Sequence, residues 1–527
     1  MMEQLSTSHK PNSVAHRYAQ LETLRHPYLH RARRAAELTI PMLVPREGSN
    51  SNSEYPTPFQ SVGARGVNNL ASKLLLALLP PNSPFFRLSI DEPTANMVAP
   101  EARGKIEKAM SEIERTAMQT LENAAARVPV YEALRQLIVA GNALMYVPRD
   151  GDIRIFRLDR YVVKRDAMGN VLEIITKESV SPKMLPETHV ALLKEQSNDS
   201  LEKSYDLYTC CRLEDGKFVI HQEVGGEPVP ETFGTLPIDK CPFIPLRFTR
   251  IDGEDYGRSY IEEYFGDLAS LEALTRAIVE GSAASAKVLF MVRPNGTTKI
   301  QNLSRADNGA FIQGSSDDVS VLQMQKGGDF GVAQSTAGQI QERLAFAFLL
   351  NAAVQRNAER VTAEEVRYMA QELEAALGGT YSILSQELQL PLVNLILDRL
   401  QAQGKMPSLP KDTVQPTIIT GLEALGRGQD LNKLSSFLQM LQPLGAEVLS
   451  REMNIGDYID RLGASLGIDT DGLIKSDQQK QMEQQQAQQQ QQEMMMQQMM
   501  ANAGEKAAPE VLKQVMQGAA KGGDKPN

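Results

Sequence analysis

Leu344-Ala345-Phe346-Ala347-Phe348-Leu349-Leu350, then Gln355-Arg356-Asn357-Ala358-Glu359-Arg360, then Thr362-Ala363-Glu364-Glu365-Val366: this stretch decides how the chain is read. It lies within residues 330–404, which divide into a long helix, a short polar break and a second long helix. An apolar cluster closes the first helix. The second opens at Thr362, whose hydroxyl stands three residues before Glu365, so each side chain can satisfy the other's backbone N–H as a capping box. Val366, Met369, Leu373 and Leu377 then recur at three- and four-residue steps and form one buried stripe. Two helices of this length joined by a charged loop suit a part that reaches away from a compact body. The expectation is that the loop reaches into a central channel made by several copies of the chain.

Working outward, 527 residues can bury a sizeable core and divide into several domains. A formal charge of -10 argues against gripping nucleic acid by phosphate neutralisation, which needs a basic face. It leaves open a conduit, because an acidic wall repels phosphates and lets them slide. Cys210, Cys211 and Cys241 show no C-x-x-C spacing, and in a strand the first two would face opposite sides. They read as reduced packing residues in a cytosolic setting. No apolar signal-peptide core opens the chain. Its longest apolar runs, around Leu74–Leu79 and Leu344–Leu350, fall far short of the roughly 20 residues that span a membrane. The reading is a soluble chain made in the cytoplasm.

The N-terminal half alternates helices with a strand-rich region. Residues 12–38 read as a helix with a basic end, Arg25, His26, His30, Arg31, Arg33 and Arg34. That end could hold phosphates, but a solvated face or contact with an acidic partner is the better reading. After a Pro- and Ser-rich connector, Val62, Val67, Leu70, Leu74 and Leu78 mark an amphipathic helix stopped by Pro80-Pro81. Phe85 to Ile90 reads as a strand, and helices at about 101–127 and 130–141 flank Pro129. From Leu144 to Arg250 the period becomes alternating. Strands at 153–158, 171–176, 205–213 and 217–223, the last two joined at Asp215-Gly216, make an antiparallel sheet.

Ser259 and Glu262 form a second capping box, opening one helix from Tyr260 to about Val288, roughly 40 Å long. Its end, Gly281-Ser282-Ala283-Ala284-Ser285-Ala286, is small enough for close packing against neighbouring helices. Between it and the helix at 331–350 sits a module with strands Val288–Val292, Ala310–Gln313 and Val319–Met324 and the turn Arg293-Pro294-Asn295-Gly296. This is a stalk with a tip, and a tip held away from the body is well placed to meet other proteins. From Gly404 to about Ile474 the chain reads as helices and loops. Gln478 to Met500 is nearly all Gln and Met, either a loosely packed tail or an oligomeric helical tube.

No phosphate-binding G-x-x-x-x-G-K-[ST] loop and no metal-ligand spacing occur, so no cofactor or metal is expected. Gly463-Ala464-Ser465-Leu466-Gly467 does match the G-x-S-x-G elbow of serine hydrolases. That elbow needs a preceding strand and a later histidine. Residues 458–462 look helical, and every histidine lies upstream, so a hydrolase using Ser465 is heavily discounted. Arg356 and Arg360 could touch phosphates or pair with carboxylates such as Glu359 and Glu364.

Residues Ala353 to Tyr368, continued by Leu377 to Leu392, resemble the portal (head-to-tail connector) proteins of short-tailed phages of the autographivirus group. Tyr256-Gly257-Arg258-Ser259-Tyr260 and Gly421 to Asp430 add to the match, which covers roughly Arg17 to Asp430. The resemblance implies an α+β, mainly α, elongated portal protomer with wing, stem, clip and crown. Residues 1–257 would be wing, 258–288 and 329–350 stem, 289–328 clip, and 351–361 the channel loop. Residues 362–404 would be a long wing helix, 405–475 crown, and 476–527 a C-terminal barrel or flexible tail. Twelve copies would form a ring at one capsid vertex of the virion, a passive conduit for double-stranded DNA. Implied partners are the terminase large subunit, the tail adaptor (tail tubular) protein, the major capsid protein, the scaffolding protein and internal core proteins, with no membrane. By this analogy Gln355, Arg356, Asn357 and Arg360 would meet DNA. Lys299 and Arg305 would meet the clip's partners. The rival from another class is a scaffold or adaptor that encloses no channel.

Overall fold

The computed structural model describes residues 13–50, 52–81, 84–90, 100–185, 204–285, 289–322, 327–350, 377, 379–406 and 414–418, with short pieces between 436 and 495. It divides into two units, Met1–Gly426 and Arg427–Asn527. The described residues of the second unit are short and include a helical stretch at 436–441.

In the first unit, α1 (Val14–Glu37) starts where the Ser13 hydroxyl accepts the His16 N–H at 3.1 Å. α2 (Val62–Leu78) buries Val62, Val67, Leu70, Leu74 and Leu78, the expected stripe. β1 (Phe86–Ile90) leads by way of α3 (Pro100–Asn123) to α4 (Arg127–Ala140), which carries Pro129 in its first turn. Gly141 ends α4 at φ +72°, a left-handed cap, and a Cβ there would lie 2.5 Å from the Arg258 carbonyl carbon.

The strands that follow are β2 (Asn142–Tyr146), β3 (Arg154–Phe156), β4 (Tyr161–Arg165), β5 (Val171–Val180), β6 (Tyr205–Glu214), β7 (Lys217–Val224), β8 (Glu227–Pro228), β9 (Gly234–Pro237) and β10 (Phe243–Arg247). They make two antiparallel sheets rather than one. The order is β10-β2-β3 in the first and β4-β5-β6-β7-β8 in the second, with β9 also paired to β7. Ala143, Leu144 and Met145 of β2 are all fully buried, so alternation could not signal which sheet β2 joins. The Asp215-Gly216 hairpin is as expected, with both residues at positive φ, 48° and 73°. Cys210 packs with Tyr18, Val162, Ile175 and Tyr208, while Cys211 faces the main core, so the two do point opposite ways.

The Ser259 capping box is present, with Glu262 N–H to Ser259 Oγ at 3.1 Å and Ser259 N–H to Glu262 Oε1 at 3.3 Å. The single helix expected after it is broken. α5 (Tyr260–Glu263) stops at Tyr264, whose ψ of 12° leaves the helical range, and α6 (Phe265–Ser285) resumes. Tyr264 is held among aromatic rings, with centroids 5.1 Å from Tyr260 and 6.0 Å from Phe348. Next come β11 (Leu289–Val292), α7 (Ile300–Ser304), β12 (Val319–Leu322) and α8 (Gly327–Ala347), with β11 and β12 antiparallel. The strand expected at Ala310–Gln313 does not form. Its residues are exposed and have no apolar face to bury.

The chain continues with α9 (Gly379–Leu384), a π-helical turn (Ser385–Gln389), α10 (Leu390–Ala402) and β13 (Val414–Ile418). Pro391 lacks an N–H and crowds the carbonyl four residues earlier, which accounts for the looser turn just before it. Leu377, Tyr381, Leu384, Leu388 and Leu392 are buried and carry the apolar stripe onward from the expected residues. Thr362, Val366, Met369 and Leu373 lie outside the described residues. β13 returns to pair antiparallel with β1, Phe86 opposite Ile418 and Ile90 opposite Val414.

Candidate functional site

Two places carry the functional expectations: the root of the α6/α8 helix pair, from which the polar loop departs, and the insert between the two helices. α6 and α8 run antiparallel. Arg343 near the end of α8 grips Asp267 near the start of α6, Nη2 to Oδ1 at 2.8 Å and Nε to Oδ2 at 3.2 Å. At the other end Phe330 lies over Gly281, where an added Cβ would come within 2.5 Å of the ring. Of the small residues expected to pack densely, Gly281 meets Phe330, whereas Ser282, Ala283 and Ala284 are exposed in the single chain. Among the described residues, burial in the pair is confined to the root, at Leu268, Leu271 and Glu272 on α6 and Ile340, Leu344 and Ala347 on α8. Farther along, Val279 and Val332 are 48% and 70% exposed, and beside the root Phe346 is 77% exposed.

The final turn of a helix leaves carbonyls without intrahelical partners. At the end of α8 the Phe348, Leu349 and Leu350 N–H groups take Leu344 O, Phe346 O and Ala345 O, and other elements supply partners from Ala347 O onward. The Tyr260 hydroxyl donates to Ala347 O at 2.8 Å, and burial raises its pKa, keeping it a donor. Asn69 Nδ2 of α2 donates to Phe348 O at 2.9 Å and Leu349 O at 3.0 Å, and Lys73 Nζ adds Leu349 O at 3.1 Å. The Lys73 charge sits at the negative end of the helix dipole. Gly66 gives Phe348 its seat, since a Cβ there would lie 2.4 Å from the ring. Leu349 is left-handed at φ 54°, a conformation costing a branched side chain about 1–2 kcal/mol. The chain is thus pinned firmly just before residue 351. Gln355, Arg356, Asn357 and Arg360, with Glu359 and Glu364, lie outside the described residues, as does Ser465.

In the insert, the buried Asp318 carboxylate organises the turn after β11. Its Oδ2 accepts from Thr298 N–H at 3.1 Å, Thr298 Oγ1 at 3.2 Å and Thr297 Oγ1 at 3.0 Å. The Thr298 N–H leads in holding this carboxyl below the usual aspartate range. Only glycine fits at 296, where a Cβ would meet the carboxylate carbon at 2.4 Å. Lys299 and Arg305 sit exposed at the two ends of α7, and no ion pair joins either to another described residue. Around them Phe290, Ile300 and Phe311 are largely exposed, Phe311 completely.

The basic end of α1 is largely occupied within the chain. Arg25 is buried and donates to Tyr18 Oη at 3.0 Å and Tyr161 O at 2.8 Å. Arg31 pairs with Glu262, Arg33 donates to Pro45 O, and Arg34 covers the Phe265 ring. Asn69, Lys73, Tyr260 and Asp318 escaped sequence reading. Asn69 left no distinct trace, because α2 also carries Arg65, Asn68, Ser72 and Lys73 on its polar side. Among the described residues no group of three or more His, Cys, Asp or Glu could hold a metal ion, and no helix is long and apolar enough to cross a membrane.

Residues 12–474 match the family model for the bacteriophage head to tail connecting protein. This chain belongs to that family. The portal protein of Escherichia phage T7 is 46% identical over 474 residues, 88% of each chain, and that of Enterobacteria phage T3 is 46% identical over 473 residues, again 88% of each. The portal protein of Enterobacteria phage SP6 is 32% identical over 501 residues, 94% of this chain and 95% of that one. The match to the connector family runs past Asp430 to residue 474, beyond the stretch whose motifs resembled it. Its α+β protomer here is the two sheets on a helical body described above, with α6, α8 and the insert set on it.

Proposed function

We propose that the chain is a phage portal protein, a passive, non-enzymatic ring at one capsid vertex through which double-stranded DNA enters and leaves the head. The carrying observation is the helix pair and its insert, which leave Val279, Val332, Phe290 and Phe311 exposed in a single copy. Closed rotational symmetry would cover such faces by head-to-tail contact with neighbours. On this reading twelve copies form the ring. Residues 1–257 are wing, 258–288 and 329–350 stem, 289–328 clip, 351–361 channel loop, 362–404 a long wing helix, 405–475 crown, and 476–527 barrel or tail. The clip takes the terminase large subunit during filling and the tail adaptor afterwards, with Lys299 and Arg305 as contacts. The body meets the major capsid, scaffolding and internal core proteins. The protein is made in the host cytoplasm and ends in the virion.

Gln355, Arg356, Asn357 and Arg360 are the proposed DNA contacts. DNA carries one charge per roughly 1.7 Å of axis, so a fully basic lining would stall it. A thin arginine ring in an acidic wall centres it and resists back-slip. The pinned end of α8 supports this, since a loop five residues farther on inherits a fixed origin at Leu350. Native mass of the purified full chain tests the proposal. A ring of many copies is expected, whereas a monomer or dimer under all conditions favours a scaffold or adaptor that encloses no channel.

A further inference from the structure

Cys211 lies fully buried in β6, and Cys241 lies half-buried between the Ile238–Lys240 turn and β10. Their sulfurs are 3.6 Å apart, and Cys241 Sγ also lies 3.6 Å from the carbonyl oxygen of Phe243. The first cysteine belongs to the six-stranded sheet, and the second leads straight into the three-stranded sheet. Everything in β7, β8 and β9 lies in the loop between them. A disulfide needs its sulfurs at about 2.05 Å, a gap that side-chain rotation from contact distance can close. We propose that Cys211 and Cys241 form a redox site at which a small-molecule disulfide converts the dithiol into an intrachain disulfide joining the two sheets.

The exchange runs in two steps. The Cys241 thiolate attacks one sulfur of the small disulfide, forming a mixed disulfide and expelling one small thiolate, which takes up a proton. Cys211 then loses its proton, attacks Cys241 Sγ and expels the second small thiolate. Two protein thiols are oxidised, and one disulfide is reduced to two thiols. The order follows from access and hydrogen bonding. Cys241 is the reachable member, and the Cys211 S–H donated to its thiolate lowers its pKa. Cys211 is pushed the other way by the same contact and by burial, which makes it the resolving thiol. Cys210 faces the other cluster, and burial pushes its thiol up to about 12, so it stands outside the exchange.

The test treats the full chain with oxidised glutathione, blocks free thiols with iodoacetamide and maps the digest by mass spectrometry. The expected product is a Cys211–Cys241 linked peptide, lighter by two hydrogens than the sum of the free pair, with Cys210 alkylated. Cys241→Ser should abolish the link and leave Cys211 free of glutathione. Cys211→Ser should trap glutathione on Cys241. Three free thiols after treatment would overturn the proposal. So would a lasting glutathione adduct on Cys241 of the unaltered chain, or a link through Cys210 or between copies.

Discussion

Replacing Asn69 with Ala should loosen the end of α8 without touching the loop that follows. The Asn69 amide makes two hydrogen bonds, to Phe348 O and Leu349 O at 2.9 and 3.0 Å. Each contributes about 1 kcal/mol net, so the pair amounts to about 2 kcal/mol. Lys73 still holds Leu349 O in the variant, so the loss falls most on Phe348 O. The amides to watch are Leu349, bonded to Phe346 O, and Leu350, bonded to Ala345 O. Hydrogen exchange read by mass spectrometry reports their local opening. A loss of about 2 kcal/mol raises the exchange rate about 30-fold. Asn69→Asp should do at least as much, because a carboxylate cannot donate and brings negative charge to the negative end of a helix. Unchanged exchange at these amides in both variants would refute the idea that α2 pins this helix end.

Glu387→Ala should cost about 3–5 kcal/mol, seen as a lower urea midpoint, because it leaves the buried Arg247 guanidinium without its carboxylate. Gly281→Val forces a Cβ into the Phe330 ring and should lower the melting temperature, with an overpacking cost of about 1–3 kcal/mol. Asp318 titrates lower folded than unfolded, so its contribution is complete above the unfolded value of about 3.9. It disappears as pH falls through the lower folded value. Protection of the Thr298 amide, corrected for intrinsic exchange, should therefore hold down to about pH 4 and decline below it. Charge reversal at Arg356 and Arg360 together should weaken retention of packaged DNA, measured as genome loss from purified particles. Normal retention would remove the arginine ring from the mechanism.

The helices of the body could be read because their apolar stripes repeat within one turn, as Val62, Val67, Leu70, Leu74 and Leu78 show by being buried together. Caps are equally local, and the Ser259 box appears with both of its hydrogen bonds. What escaped was set by distant partners. β13 meets β1 from the far end of the unit, through Pro416 opposite Leu88, and no nearby pattern announces that pairing. The break at Tyr264 lies against Phe348, just past the end of α8 and distant in sequence. β2 is buried on all sides and so hides the division into two sheets. In the insert, Phe311 and Ile312 are neighbours that a strand would send to opposite faces, and both are exposed, so the strand expected at Ala310–Gln313 does not form. Lys299 and Arg305 stand out in the sequence by charge and position alone, and Gln355, Arg356, Asn357 and Arg360 by resemblance. The side chains that anchor the loop's origin, Asn69 and Tyr260, are polar groups whose carbonyl partners come from elsewhere in the chain.

The central claim is that the polar segment between α8 and the helix after it faces the axis of a closed ring. A single-particle reconstruction of the assembled full chain, reading the distance of Arg356 from the symmetry axis, tests it most directly. Arg356 and Arg360 are expected at the narrowest part of an open channel. Both residues on the outer surface, far from any rotation axis, would contradict it.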